Sequence, residues 1–177
     1  MDNLFTLLGS ETTEELLQLI VKNAPIGIYT INKKGIIDFV NPKFAEISGD
    51  SEIQLLGLNA LTLPTYEHFG LLPYLIQGLK GKSFKTEIRY VSYISKKESY
   101  RNYIGIPLTT SNNEVERLLL LVEDITERKR LEIQLEETVK IKAQEMEQLN
   151  QKILDQEVKI AKLEKEVTTL RKPLGLQ

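Results

Sequence analysis

Residues 127–172 contain no glycine, no proline and no aromatic residue, although the chain before them contains all three types. This stretch follows directly on "LLLLVED" (118–124), an apolar run typical of a buried strand. Glycine and proline mark turns, so the first part of the chain folds back on itself repeatedly and the second part does not. The sequence therefore predicts a compact domain that is joined without a linker to one long helix.

Four segments follow from this contrast: an N-terminal helical segment (1–23), a domain (24–126), a long helix (127–172) and a tail (173–177). Within the N-terminal segment, a helix is predicted at 13–23. A short helix follows that begins at Pro42, is capped by Asn41 and ends at Gly49. Because strand patterns lie at both ends with helices between them, we expect an antiparallel sheet with helices on one face, an α+β fold. The strand patterns occur at 27–32, 36–40 and within 83–94, 100–110 and 116–124.

Apolar residues recur every seven positions along the predicted long helix. At 1.5 Å per residue this helix is about 70 Å long, and no other segment of the chain is long enough to cover it. β-Branched residues predominate at the a positions and leucine at the d positions, which favours a parallel two-stranded coiled coil. A single solvated helix is the alternative, but it leaves the apolar row unexplained. The predicted dimer interface comprises Leu135, Val139, Met146, Leu149, Ile153, Ile160, Leu163, Val167 and Leu170 of the long helix, and Leu16, Leu17 and Ile20 of the N-terminal segment.

Charged residues beside the apolar row support the parallel orientation. In a parallel pair, each g residue faces the e residue that lies five positions further along the partner helix. Each exposed ion pair contributes about 0.3–0.5 kcal/mol, so the charges bias the orientation while the buried apolar row supplies the stability. The g–e pairs are all attractive and join Lys152 with Glu157, Lys159 with Glu164, and Glu166 with Arg171.

Four segments, in this order and spacing, resemble the PAS domain family: "APIGIYTIN", "GIIDFVNPKFAEISG", "LKGKSFKTEIRY" and "VEDITERKRLE". The resemblance covers residues 11–127, and the residues at 124–126 are similar to the family's terminal D-I-T. The chain differs from the family at Asp50, where an aromatic residue is common, and at 96–98, where a glycine turn is usual. The resemblance implies a five-stranded antiparallel sheet whose short helices enclose a small cavity. Different members use this cavity for haem, flavin, small metabolites or nothing.

The cavity that the resemblance implies is lined mainly by apolar side chains, which more often fill a core than hold a ligand. Any ligand is therefore expected to be small and apolar. His68 is the only histidine and the only haem-ligand candidate, but it falls about one turn before the usual ligating position, which Leu71 occupies, so haem is disfavoured. The predicted cavity residues are Ile28, Thr30, Ile37, Phe39, Asn41, Phe44, Ile47, Phe69, Leu72, Ile76, Thr86, Ile88, Tyr90, Ile104 and Leu121.

Several kinds of chemistry require residues that this chain lacks. Without cysteine there is no disulfide, no thiolate metal site and no flavin–cysteinyl photochemistry. No histidine follows the domain to accept a phosphoryl group, and no glycine-rich phosphate loop or catalytic carboxylate pair stands out, so we predict no enzyme activity and no metal site. A net charge of −2 argues against electrostatic attraction to nucleic acid or to an anionic membrane. No apolar run is long enough to span a membrane, so a membrane partner is not predicted. A cytoplasmic protein is expected.

The junction between the last strand and the long helix is the predicted route for a signal, and it comprises Asp124, Ile125, Thr126 and Glu127. Asp124 is expected to cap the helix with Glu127 at the capping-box position, and Thr126 is the alternative cap. Because strand and helix share one backbone, a shift of the strand must displace the helix. We therefore expect a homodimeric sensory module that signals through its coiled coil to a separate protein partner or a fused output domain. The alternatives are a ligand-free dimerisation scaffold and a haem-binding gas sensor.

Overall fold

The computed structural model describes the backbone of residues 10–171 and the side chains of residues 12–169. Residues 1–9, the side chain of Leu170 and the predicted tail at 173–177 lie outside the described residues. The chain divides into two compact units after Lys129. The elements are α1 (Ser10–Asn23), β1 (Gly27–Asn32), β2 (Ile37–Val40), α2 (Pro42–Ser48), α3 (Glu52–Leu55), α4 (Pro64–His68), α5 (Leu72–Leu79), β3 (Phe84–Val91), β4 (Glu98–Thr109), β5 (Val115–Asp124) and α6 (Thr126–Arg171).

The five strands form one antiparallel sheet in the order β2-β1-β5-β4-β3. Strand β5, the last of the strands between residues 10 and 171, lies at the centre between β1 and β4. Helices α2 and α5 pack against the sheet, α2 on β1 and α5 on β4 and β5. The predicted α+β fold, a five-stranded antiparallel sheet with short helices on one face, is therefore confirmed.

The central position of β5 explains its unbroken apolar run. Leu118, Leu120 and Val122 are almost completely buried on the face that carries the short helices, which we call the inner face. Leu119 and Leu121 point to the opposite, outer face and are half-buried. A strand that is covered on both faces is apolar throughout, whereas a strand with one wet face alternates.

Helix α2 shows how the local sequence sets an element. The Asn41 side-chain oxygen accepts a hydrogen bond from the Phe44 amide at 2.9 Å, and Pro42 occupies the first turn, where no amide donor is needed. Gly49 follows the last turn with a φ of +71°, a conformation that residues with a side chain rarely adopt. The predicted cap, start and end of this helix are confirmed.

Helix α5 is rotated by about one residue from the prediction. Leu71 and Leu75 are fully buried, whereas Leu72 is half-buried and Ile76 is 40% exposed. Gly78 decides the rotation, because a Cβ atom at that position would lie 2.6 Å from a β5 side chain. The close approach at Gly78 turns Leu71 and Leu75 towards the sheet, so the prediction that Ile76 faces the interior is wrong.

Helix α6 is continuous from Thr126 to Arg171. Its predicted apolar row, from Leu135 to Val167, is between 45% and 64% exposed in the single chain. A helix of this length needs tertiary or quaternary packing to cover such a row. Among residues 10–171, no helix combines the length and the apolar content that crossing a bilayer requires.

Helix α1 begins three residues earlier than the prediction of 13–23, at Ser10. The three residues predicted to reach a partner, Leu16, Leu17 and Ile20, are between 43% and 56% exposed. The apolar side of α1 is therefore only partly covered by the residues that the structure describes.

Candidate functional site

A group of buried polar side chains lies on the inner face, and we call it the Arg101 cluster. It consists of Ser99, Arg101 and Tyr103 on β4, Tyr29 on β1 and Tyr66 on α4. Alternate residues of a strand share a face, so the three β4 residues all point inward. All five side chains are between 0% and 3% exposed. A charged side chain is rarely buried this completely without a paired charge.

The Arg101 guanidinium has few acceptors. Its Nε donates to the Ser99 hydroxyl at 2.8 Å, and its two terminal nitrogens donate to the Tyr103 hydroxyl and the Ile47 carbonyl oxygen, each at 3.4 Å. The Tyr90 ring covers one face of the group, with its centroid 4.2 Å from Cζ, a cation–π arrangement. None of the ion pairs between residues 12 and 169 includes Arg101.

The tyrosines of the cluster do not supply the missing negative charge. Burial raises the pKa of Tyr29 and Tyr66 well above the ordinary value for a phenol. Burial also raises the pKa of Tyr103, although the neighbouring Arg101 opposes that shift. These phenols are therefore neutral at physiological pH and act only as hydrogen-bond donors and acceptors.

Side chains fill most of the interior. The cavity bordered by Phe44, Tyr66 and Tyr90 has a volume of about 10 Å³, close to the minimum for a single water molecule. His68 is exposed at the end of α4, where its ring packs edge-on against Phe69 with centroids 4.7 Å apart. With this interior volume and with the histidine at the surface, the residues present do not fit a haem.

About half of the predicted cavity residues do lie on the core side of the domain. They come from helix α2, from strands β2 and β3 and from the segment around α5. Thr86, Phe69 and Leu72 are half-buried at its edge. The predicted residues that are buried on the core side are Ile37, Phe44, Ile47, Ile88 and Tyr90.

Five predicted cavity residues lie instead on the outer face: Ile28, Thr30, Phe39, Ile104 and Leu121. Ile28 pairs with Leu121, which pairs with Ile104, and Thr30 pairs with Phe39, so all five share one face of the sheet. Strand alternation identifies two faces but does not say which one is the core, and here both faces carry apolar residues. The prediction that these five line the interior is wrong.

An open groove of about 500 Å³ separates α1 from the outer face of the sheet. Its apolar lining includes Leu17 and Val21 of α1 and Ile28, Phe39 and Leu119 of the sheet. The groove continues the exposed apolar side of α1. The outer face is therefore an apolar surface that the described chain covers only in part.

Asn41 is a structural residue and not a ligand group. Its Oδ1 accepts hydrogen bonds from the amides of Ile28 (2.7 Å) and Phe44 (2.9 Å). Its Nδ2 donates to the carbonyl oxygens of Val21 and Ile26, both at 3.0 Å. One side chain thus joins α1, β1 and α2, and its side-chain donors and acceptor are already used.

The strand–helix junction is held to β4 by backbone contacts. The Ile125 amide donates to the Tyr100 carbonyl at 2.8 Å, and the Tyr100 amide donates to the Thr126 hydroxyl at 2.9 Å. Asp124 accepts from the Thr126 amide at 2.9 Å, but α6 begins at Thr126 and the Lys129 amide donates to the Ile125 carbonyl, so Ile125 and not Asp124 holds the cap position. Thr126 bonds to β4 instead of capping, and within residues 12–169 Glu127 does not form the expected capping-box bond. Ile125, 3% exposed, anchors the junction in the domain.

A second contact ties the first turn of α6 to β3. Glu87 accepts from Arg128 Nη2 at 2.7 Å and pairs with Lys129 Nζ at 2.9 Å. These hydrogen bonds, from Arg128 first and then Lys129, lower the pKa of Glu87 to about 2. We call this group the Glu87 clamp. Sequence analysis missed it, because nothing local relates residue 87 to residues 128 and 129.

A family model described as the PAS fold matches residues 21–130, which is more than half of the chain. The chain belongs to the PAS family. PAS domains are sensory modules and are generally not enzymes themselves. A comparison with curated proteins finds no match.

Solved structures share the PAS fold with this chain. An RNA-binding Light-Oxygen-Voltage receptor aligns with a TM-score of 0.62 at 18% identity, over 80% of this chain and 40% of that one. The PAS domain of a protein from Colwellia psychrerythraea aligns with a TM-score of 0.56 at 18% identity, over 65% of this chain and 98% of that one. A sensory box histidine kinase/response regulator from Burkholderia thailandensis E264 aligns with a TM-score of 0.52 at 25% identity, over 70% of this chain and 95% of that one. This chain thus spans less than half of the receptor's length.

Little in the sequence indicated that the polar side chains of the Arg101 cluster are buried in this PAS domain. Arg101 and Tyr103 alternate with Asn102 and Ile104, and the apolar Ile104 made the other face look like the interior. Tyr103, however, is opposite Thr86 across the β3–β4 pair, and Thr86 was predicted to point inward. The pairing of β3 with β4 would have placed Tyr103 and Arg101 inside, but pairing is a tertiary property.

Titration of the Glu87 clamp is expected to depend on pH in a defined way. A pKa lowered from 4.5 to about 2 means that the clamp stabilises the folded junction above pH 4.5 and that this contribution is lost as the pH falls towards 2. NMR titration of the Glu87 carboxyl carbon measures the shift directly. In the variant Arg128→Gln with Lys129→Gln, the Glu87 pKa should return towards 4.5; a value near 4.5 in the wild type would contradict the clamp.

Proposed function

We propose that this PAS domain is a sensory module that homodimerises through a parallel coiled coil formed by α6 and transmits a signal along it. The observation that carries the proposal is the exposed apolar row of a continuous helix that starts at the end of the central strand. A second copy is the occupant that fits this row, because the flanking charges are complementary between parallel copies. Cytoplasmic location and a separate partner or fused output domain remain predictions from the sequence.

The junction supports the transmission step. Tyr100 of β4 bonds to Ile125 and Thr126, and Glu87 of β3 bonds to Arg128 and Lys129. A displacement of β3 or β4 relative to β5 therefore acts on the first turn of α6 through four contacts. The similar structure from Burkholderia thailandensis belongs to a protein described as a sensory box histidine kinase/response regulator, which fits a signalling role.

A ligand-free dimerisation scaffold is the second candidate. The observation in its favour is the interior volume of about 10 Å³, which leaves little room for an effector in this conformation. The exposed side of α1 and the open groove beside it fit a scaffold in which two copies also meet through Leu16, Leu17 and Ile20.

The oligomeric mass of the whole chain, measured by light scattering and sedimentation equilibrium, tests the proposal. We expect a dimer at micromolar concentration, and a much weaker or absent dimer when the chain is cut after Lys129, where the first compact unit ends. A monomeric full chain would contradict the proposed function. A truncated chain that remains fully dimeric would favour the scaffold, because α1 and the outer face would then hold the dimer together.

A further inference from the structure

The carboxylate of Asp50 joins the end of α2 to the turn between β3 and β4. Asp50 is 9% exposed. Its Oδ2 accepts from the Ser92 hydroxyl at 2.6 Å, and its Oδ1 accepts from the Ser95 amide at 2.9 Å. These donors lie 42 and 45 residues further along the chain. Hydrogen bonds to a charged acceptor are about twice as strong as those between neutral groups, so one side chain holds two distant segments together.

The same turn also bonds to the end of α2 through two backbone carbonyls. The Ser95 hydroxyl donates to the Ser48 carbonyl oxygen at 2.7 Å, and Lys97 Nζ donates to that of Glu46 at 3.0 Å. The last carbonyls of a helix lack partners further along the helix, so the turn supplies donors to the open end of α2. We call these two contacts and the two made by Asp50 the Asp50 latch.

Other contacts hold this turn only weakly. Its residues 95–98 are exposed, and within residues 12–169 a single backbone hydrogen bond, from the Ser92 amide to the Lys97 carbonyl oxygen at 2.9 Å, closes it. Lys96 has a φ of +60°, which is unfavourable for a residue with a side chain. An exposed segment with few bonds opens locally at low cost. The Asp50 latch is therefore what keeps the turn closed against α2.

No carboxylate is bonded to Arg101 among the described residues, but Asp50 lies close to it. Asp50 and Tyr90 border the same small cavity, and the Tyr90 ring stacks on Arg101. Arg101 also donates to the Ile47 carbonyl oxygen of α2 at 3.4 Å. Burial raises the pKa of Tyr90, Arg101 opposes that rise and Asp50 adds to it, so both charges act on the same ring. Opposite charges attract more strongly in an interior of low dielectric constant, and a closed latch keeps the carboxylate near Arg101.

The latch lies beside the junction with α6. The turn leads directly into β4, whose third residue is Tyr100. The Tyr100 carbonyl and amide bond to the Ile125 amide and the Thr126 hydroxyl. Arg101, the next residue, is opposite Asp124 at the end of β5. A movement of the turn therefore reaches the start of α6 through the first residues of one strand.

We propose that the Asp50 latch is a conformational switch whose opening loosens the junction between β4 and α6. In the closed state the latch holds the turn and the first residues of β4 in place against α2. Opening breaks both bonds of Asp50, moves its charge away from Arg101 and releases the strain at Lys96. The chain differs from its family at Asp50 and at 96–98, so the latch is a feature of this chain. Only the passage of the change along α6 rests on the proposed function.

Amide hydrogen exchange, measured by NMR on the full chain, detects opening of the latch. Asp50→Asn keeps the shape of the side chain but removes its charge and one acceptor oxygen. We expect exchange of the Ser92 and Ser95 amides to become about tenfold faster. A switch also requires the amides of Tyr100 and Ile125, the junction amides, to exchange at least about threefold faster, which a purely local contact would not cause.

Three comparisons separate latch opening from general destabilisation. The Leu120 amide, in the central strand, reports global unfolding, and the expected rises are relative to it. Glu46→Gln is the matched control, because it removes a carboxylate of the same helix that pairs with Lys43 at the surface, and it should change none of these rates. Lys96→Gly should slow exchange at the junction amides about threefold, since glycine adopts a positive φ without strain. If Asp50→Asn does not fold, Lys96→Gly decides.

Wild-type rates at the junction amides in Asp50→Asn, or a rise no larger than that of Leu120, would overturn the inference. Equal rates in Lys96→Gly and the wild type would also overturn it. Sedimentation equilibrium on the same samples separates the two proposals. A dimer whose junction amides do not respond overturns only the switch, whereas a monomer whose junction amides respond overturns only the proposed function.

Discussion

Replacing Leu149 and Leu163 together with asparagine is expected to convert the full chain from a dimer into a monomer. The two side chains are 53% and 51% exposed in the single chain, and the proposed dimer would bury them. Burial of a leucine contributes about 1.5–3 kcal/mol, and a dimer loses four such side chains. We therefore expect the dissociation constant, measured by sedimentation equilibrium, to rise by roughly a thousandfold or more.

The matched control uses leucine and valine residues of the same helix that lie outside the apolar row. Leu154 and Val158 are 54% and 71% exposed and occupy b and f positions of the heptad. Their replacement with asparagine should leave the mass unchanged. If both pairs of substitutions weaken the dimer equally, the heptad register is wrong.

Charge reversal tests the orientation of the two helices. Lys152→Glu with Lys159→Glu should weaken the dimer by about tenfold, because each exposed pair contributes only about 0.3–0.5 kcal/mol. Adding Glu157→Lys and Glu164→Lys restores the attraction only where g residues face e residues, as they do in parallel helices. Failure of this rescue would indicate an antiparallel arrangement.

Replacing Asn41 with alanine is expected to destabilise the domain by about 3 kcal/mol. The side chain is 1% exposed and makes four hydrogen bonds to backbone groups of α1, β1, α2 and the segment before β1. Alanine leaves two amide donors and two carbonyl acceptors to find new partners. Thermal unfolding followed by circular dichroism should show the midpoint about 10 °C lower.

Asn23→Ala is the control for this substitution. The side-chain Nδ2 of Asn23 donates to the Leu19 carbonyl oxygen at 2.8 Å, but this bond is exposed and lies within one helix. Its loss should change the free energy of unfolding by no more than about 0.5 kcal/mol. A similarly small effect of Asn41→Ala would show that the loop before β1 does not depend on this side chain.

Local patterns were sufficient wherever one element depends on its own residues. The predicted helix from Pro42, with Asn41 as its cap and Gly49 as its end, is present because caps and turns are satisfied by neighbours in the sequence. The junction of β5 with α6 was predicted for the same reason. The site was predicted less well, because Ile28 and Ile104 are as apolar as core residues but lie on the outer face.

The sequence by itself determined the α+β class, the order of the elements and the long helix, since each of these depends on period, turn residues and caps within short stretches, and its resemblance to the PAS family implied the five-stranded sheet. Only the tertiary structure decided which face of the sheet is inside, that Arg101 is buried there without a carboxylate, and that Glu87 contacts Arg128 and Lys129. The physical reason is that strand pairing joins residues far apart in the chain. Their burial and their electrostatic partners therefore exist only once the strands have come together.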